Sequence, residues 1–409
     1  MHGYELTRLC LEEILDRKLK VVMVLRDLHK NAIFAFQINE HINMKHTRKL
    51  IVAAFLIACI GAAAQTADID TANYAYTSKE WRRMVRQMPD SFYTTTEAVR
   101  IAENVLAFQR FTGGWPKNVA MHRPLGGELS IVLGEKDKRD DSTTDNDATT
   151  TEMTFLARLY HHQPDGRYLE AFRNGVEFLL AGQYDNGGWP QFWPESKGYQ
   201  VHITYNDDAM AQALCLLRDI RDEKTPFDGL VDGNTRMRID TAFNKGIECI
   251  LNTQIVVDGQ PTVWCQQHDH NTLKPAPARA YELASFCSAE SAKLVEILMS
   301  IPNPDDRVIA AVEGAMKWFD EHKFTGIRVE RFTGADGMAD VRVVEDSTAA
   351  PIWARFYDLS TGKPLFSDRD GKPRKTFEEV GRERRVGYGW YSDAPRELME
   401  EYKEWKNRF

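Results

Sequence analysis

Hydrophobic and polar positions along this chain repeat mostly at helical spacing. Windows with apolar residues at i, i+3, i+4 and i+7 cover 95–109 ("TTEAVRIAENVLAFQ"), 148–162, 167–182 ("RYLEAFRNGVEFLLAG"), 207–221, 238–253, 285–300, 306–322 and 347–358. Gly, Pro, Asn and Asp separate most of them. The period-2 alternation of half-buried strands is scarce, so the pattern predicts an all-α chain.

A repeat inside this pattern refines the architecture. "FQRFTGGWPKN" at 108–118 matches "GQYDNGGWPQF" at 182–192, and "TQIVVDGQPTVWCQQ" at 253–267 is a degenerate third copy. The full copies recur at an interval of about 74 residues with about two helices between them. That spacing predicts helical hairpins arranged around an axis, with their loops gathered into a cleft at one face. Trp115 and Trp189 of these loops have two readings: wedges that close each hairpin, or platforms on which a sugar ring stacks.

The N-terminal pattern is different in kind. From Met44 the chain reads "MKHTRKLIVAAFLIACIGAAAQTADID", a basic start, an apolar run from Leu50 to Ile60 and small residues before Gln65. This is the order of an export signal, and the run is shorter than the roughly 20 residues of a membrane span. Residues 44–64 are therefore expected to be a cleaved signal peptide, residues 1–43 an upstream extension ahead of the true start, and 65–409 a single domain in a secreted or periplasmic protein. With a formal charge of -8 the chain lacks the basic footprint of a nucleic-acid binder. Cys215, Cys249, Cys265 and Cys287 remain in the mature part without a CxxC spacing, and no disulfide or metal is assigned to them.

Polar residues concentrate in four segments for which a helical bundle has no packing use. "DDSTTDNDATTTEM" places Asp145, Asn146 and Asp147 before a helix, where one of them suffices as a cap. "VHITYNDDAM" repeats the arrangement one hairpin later with Asn206, Asp207 and Asp208. If hairpin ends meet at one face, carboxylates from both turns can surround a hard cation, which takes six to eight oxygens. "CQQHDHNTLKPAPARAYELAS" carries Arg279 and the pair His268 and His270; such a pair can bind zinc, but no third ligand stands at a recognisable spacing, so no zinc site is assigned. "VRVVEDSTAAPIWARFYDLSTGKPLFSDRDG" places Arg355 within the last predicted helix and Arg369 in a turn between Asp368 and Asp370. Together with Lys117, these arginines make a set of cations suited to carboxylates, so an anionic substrate is expected.

The motifs "GGWPKN", "DNDATTTEM", "GGWPQFWP", "YNDDAM", "PARAYELAS", "PIWARFYDL" and "PLFSDRDG", in this order over roughly residues 80–405, resemble the catalytic module of the family 10 polysaccharide lyases, the pectate lyases. The resemblance implies an (α/α) toroid and calcium-assisted β-elimination of polygalacturonate. It implies calcium ligation by Asp145, Asn146 and Asp207, substrate binding by Arg279 and Arg355, and Arg369 as catalytic base. Asp147 departs from the family pattern, which has a small residue such as glycine there. Asp368 and Asp370 are expected to turn away from the cleft as turn-forming side chains. Two other readings stay open at this point: an inverting glycoside hydrolase using Asp145 and Asp207, with carboxylates about 6.5–9.5 Å apart, and a non-catalytic binding protein for uronate polysaccharides. A monomer is the expected state.

Overall fold

The computed structural model describes residues 75–408, so the expected extension 1–43 and signal 44–64 lie outside the described residues. The main helices are α1 (Ser78–Gln87), α2 (Thr96–Phe108), α3 (Thr150–His162), α4 (Gly166–Gly182), α5 (Ala209–Arg221), α6 (Gly233–Thr253), α7 (Ser288–Met299), α8 (Asp306–His322) and α9 (Ala394–Lys406). Each predicted window except 347–358 falls on one of them, the helix at 238–253 beginning five residues earlier, at Gly233, while α1 and α9 lie outside every predicted window. Their starts follow ordinary capping chemistry: Thr95 accepts from the Ala98 amide at 3.2 Å, Asp232 from Thr235 at 2.7 Å and Asp305 from Val308 at 2.9 Å.

Two departures from the all-α expectation stand out. Residues Ile327–Thr333 and Ala339–Glu345 pair antiparallel along their whole length. The segment 347–358 is not a helix but a loop with two short strands, Trp353–Ala354 and Phe356–Tyr357. Pro351 removes a backbone donor there and disfavours helical geometry at Ala350. The backbone of Arg355 is instead spent on other segments, its N–H donating to Trp390 at 2.8 Å and its carbonyl accepting from Ser288 at 2.9 Å.

Helices α1, α3, α5, α7 and α9 pack side by side in one layer, and α2, α4, α6 and α8 follow each other in a second. The connections α3–α4, α5–α6 and α7–α8 make helical hairpins that span the two layers. The repeated sequence acts at the ends of the second layer. Gln109 Nε2 donates to the Gly113 carbonyl of its own loop at 2.9 Å and to Ala171 of α4 at 2.8 Å. Gln183 does the same to Gly187 and to Ala242 of α6, and Gln254 to Thr262 and to Ala311 of α8. Gly113 and Gly187 have φ of 93° and 89°, and a Cβ on either would overlap the carbonyl of Asn174 or Lys245 in the next helix of the layer.

The tryptophans belong to this fastening. Trp115 and Trp189 are 0% and 4% exposed, and their indole N–H groups donate to Val105 and Leu179 at 2.7 Å each. Trp264 and Trp353 repeat the contact on Ile250 and Phe319, so the degenerate third copy is a true one and a fourth follows it. Neither Trp115 nor Trp189 offers a free ring face, which corrects the expectation that they stack on a sugar. They are wedges.

One buried charge makes the layer pH-sensitive. Glu152 of α3 accepts from Trp81 Nε1 of α1 at 2.7 Å, while its other oxygen is buried without a partner. Burial, the largest influence, pushes its carboxyl from 4.5 up to about 7. A raised carboxyl pKa contributes stability that is complete below about 4.5 and is lost as pH rises through about 7. Glu152→Gln keeps the acceptor for Trp81 without the charge. It is expected to stabilise the protein by about 3 kcal/mol at pH well above the folded pKa and by little at or below pH 4.5. Denaturant midpoints across that range check it, and a pH-independent gain would refute the assignment.

Candidate active site

The two acidic turns pack against one another at the same end of the hairpins. In each, two successive non-glycine residues have left-handed backbone: Asn146 and Asp147 (φ 56° and 57°), then Asp207 and Asp208 (φ 49° and 59°). Asn and Asp tolerate this conformation better than other residues with a Cβ, and such strain gathers at functional sites. Asp147 itself turns outward to Arg82 at 3.4 Å and Arg86 at 3.3 Å on α1.

Asp145 is 1% exposed. Its Oδ2 accepts from Lys117 Nζ at 2.5 Å and from Gln191 Nε2 at 2.6 Å, tying the first two GGWP loops to the first acidic turn. Its Oδ1 is buried with no partner. Asp207 Oδ1 lies 3.4 Å from Arg355 Nη2, and Oδ2 accepts from Asn206 Nδ2 at 2.9 Å. Burial pushes the Asp207 carboxyl upward, Arg355 opposes that, and Glu290 and Asp145 add to it. The orphaned Asp145 oxygen, the loosely held Asp207 oxygen and the adjacent Asn146 amide are a donor set that fits a hard, oxygen-seeking cation.

The cationic wall is strung on two tyrosines. Arg369 lies 6.0 Å from the Tyr281 ring centre, Arg279 lies 5.1 Å from Tyr281 and 5.6 Å from Tyr388, and Arg355 lies 4.9 Å from Tyr388. Each guanidinium has a carboxylate partner. Arg279 donates to Glu282, itself bonded by the Tyr388 hydroxyl at 2.7 Å. Arg355 pairs with the buried Glu290 and reaches Asn206 Oδ1 at 3.3 Å. Arg369 makes two bonds of 2.9 Å to Glu383, which also pairs with Arg384.

The structure thus brings Asp145, Asn146, Asp207, Lys117, Arg279, Arg355 and Arg369 into one run of contacts. The aspartates beside Arg369 are engaged elsewhere: Asp368 accepts from the Gly381 amide at 2.6 Å, and Asp370 from the Lys372 amide at 3.1 Å and Arg374 at 2.8 Å. Sequence reasoning missed Tyr281, Tyr388, Gln191 and the carboxylates Glu282, Glu290 and Glu383. Tyr281, Glu282 and Gln191 stand inside the quoted motifs, and Glu290 opens the third hairpin where the first two carry their acidic turns, so position in the repeat was a usable signal. Glu383 has no local signal.

The sequence matches the family described as pectic acid lyase over residues 109–399. Among curated proteins none matches. Two solved structures of a family 10 polysaccharide lyase from Cellvibrio cellulosa are similar: a mutant in complex with trigalacturonic acid and a second structure, each 32% identical with a TM-score of 0.68 over 80% of this chain. They are covered over 96% and 95% of their own lengths. A match of this extent settles the class that the acidic turns and arginines pointed to: the chain belongs to the pectic acid lyase family and is a polysaccharide lyase.

Proposed function

We infer that this enzyme is a calcium-assisted pectate lyase that cleaves α-1,4-linked polygalacturonate by β-elimination and releases 4,5-unsaturated oligogalacturonides. The observation that carries this reading is the run Arg369–Tyr281–Arg279–Tyr388–Arg355, which leads to Asp207 and the turn packed against that of Asp145. It offers forked donors for uronate carboxylates beside an oxygen-lined corner. Asp145, Asn146 and Asp207 would hold the calcium. When bound, that ion neutralises charge on the carboxylate next to the reacting carbon. Arg279 and Arg355 bind and orient carboxylates, and Lys117 holds Asp145 in position through its Oδ2. Arg369, in its neutral form, removes the C5 proton; the electron pair forms the C4–C5 double bond and the 4-oxygen departs. The structural neighbour holding trigalacturonic acid supports this substrate class.

Neutral arginine is scarce, because its ordinary pKa lies far above neutral pH, so an alkaline optimum is expected. The layered hairpins support an (α/α) toroid as the scaffold. A secreted or periplasmic monomer completes the reading; among the described residues, no helix is long and apolar enough to cross a membrane. With low-ester polygalacturonate, the ultraviolet absorbance of unsaturated product is expected to rise, to stop on chelation and to return with calcium. New reducing ends without that absorbance would overturn the elimination, and full activity after exhaustive chelation would overturn the calcium role.

A further inference from the structure

His202, Asp269 and His270 form a cluster that the lyase reading leaves without a role. One ring nitrogen of each imidazole and one Asp269 oxygen lie within 4.8 Å of one another, and His202 Nδ1 stands 3.8 Å from Asp269 Oδ2. In the sequence, His268 and His270 stand as a His-x-His pair to which no zinc site is assigned. His268 is excluded, because it is fully buried, its Nε2 accepts from the Cys265 amide at 3.0 Å and its Nδ1 bonds the Leu273 carbonyl at 2.9 Å. The missing third ligand comes from another loop instead: His202, just ahead of the second acidic turn.

A second observation points to a ligand. His202 Nδ1 and His270 Nδ1 are both buried with no hydrogen-bond partner, and a buried polar atom left unpaired is costly. The cluster is also braced. Asp269 Oδ1 accepts from the amides of Asn271 at 3.1 Å and Thr272 at 2.7 Å, which leaves Oδ2 facing His202. Asn186 Nδ2 of the second GGWP loop holds the His270 carbonyl at 2.7 Å. Two imidazoles and one carboxylate suit a borderline transition ion such as zinc, whereas calcium takes oxygens. Zinc bonds of about 2.0–2.2 Å place tetrahedral ligands about 3.4 Å apart, so the three groups need to draw in by side-chain rotation on the order of an ångström.

We propose that His202, Asp269 and His270 form a binding site for a zinc-class divalent ion, separate from the oxygen-lined corner at Asp145 and Asp207. Such an ion clips the loop that follows Asp269 to the strand leading into the second acidic turn. Metal-stripped full-length protein, kept in excess calcium, is titrated with zinc by calorimetry and with cobalt(II), whose visible bands report its coordination. One zinc per chain is expected, undisturbed by calcium, with a rise in Tm. His202→Gln/His270→Gln is expected to weaken zinc at least tenfold and to remove the cobalt bands and the zinc-induced Tm rise, while the metal-free variant melts like metal-free wild type. If that variant misfolds, Asp269→Asn serves in its place, with the same tenfold loss. Absence of saturable zinc binding in the wild type, or binding unchanged in these variants, overturns the proposal.

Discussion

Arg369→Ala is expected to lose 10²–10⁴-fold in kcat on polygalacturonate, the range a positioned general base supplies, with little change in KM or in melting. The structure explains the combination. The Arg369 side chain is 63% exposed and is paired with the similarly exposed Glu383, so little of the fold depends on it. The same contact gives a sharper test. The hydrogen bonds and charge of Glu383 hold the Arg369 guanidinium above its ordinary range, and the base must be neutral to act. Glu383→Gln removes that hold, lowers the arginine pKa and raises the neutral fraction at a given pH, so the rising limb of the kcat profile is expected to move to lower pH. Near-normal turnover in Arg369→Ala removes the residue from the base role. An unmoved limb in Glu383→Gln means that the titrating group is another.

Arg355→Met is expected to cost about 3–5 kcal/mol of stability, the usual consequence of leaving one member of a buried ion pair alone. Glu290 is 3% exposed and would keep the Cys287 thiol at 2.5 Å as its remaining short contact. Under the proposed function Arg355 also binds a substrate carboxylate, so activity is expected to fall as well, and the two losses need to be separated. Arg355→Met/Glu290→Leu replaces the pair by apolar volume and is expected to recover most of the stability without recovering activity. Urea midpoints alongside kcat and KM decide it. A double variant that regains both would make Arg355 a structural residue; a single variant as stable as wild type would refute the buried-pair argument.

The helices were legible because their apolar stripes are long and their ends carry Asp, Thr or Gly, signals that act within a few residues. The window 347–358 misled for the opposite reason. Its aromatic spacing imitates a helix, but Trp353, Phe356 and Tyr357 are buried by partners far along the chain. The hairpin at 327–345 did show alternation, at Val341 and Val343 above all, and went unrecognised amid a dominant helical rhythm. At the site, the turn residues and the arginines could be named because their types are unusual for a bundle. Their counter-charges could not, since Glu290 and Glu383 meet Arg355 and Arg369 across 65 and 14 positions. Burial likewise decided between the two readings of Trp115 and Trp189, and burial is a property of the assembled layers.

The glutamine ties described for the second layer have a bearing on how such a protein can change. Gln109, Gln183 and Gln254 fasten each helix to the next through main-chain carbonyls, an acceptor that every amino acid supplies. The frame is therefore indifferent to most of what its neighbours' side chains are. Loops at the cleft can be rewritten, lengthened or recharged while the spacing of the hairpins stays ruled by the same three amides, and new substrate preferences can be tried out without renegotiating the scaffold.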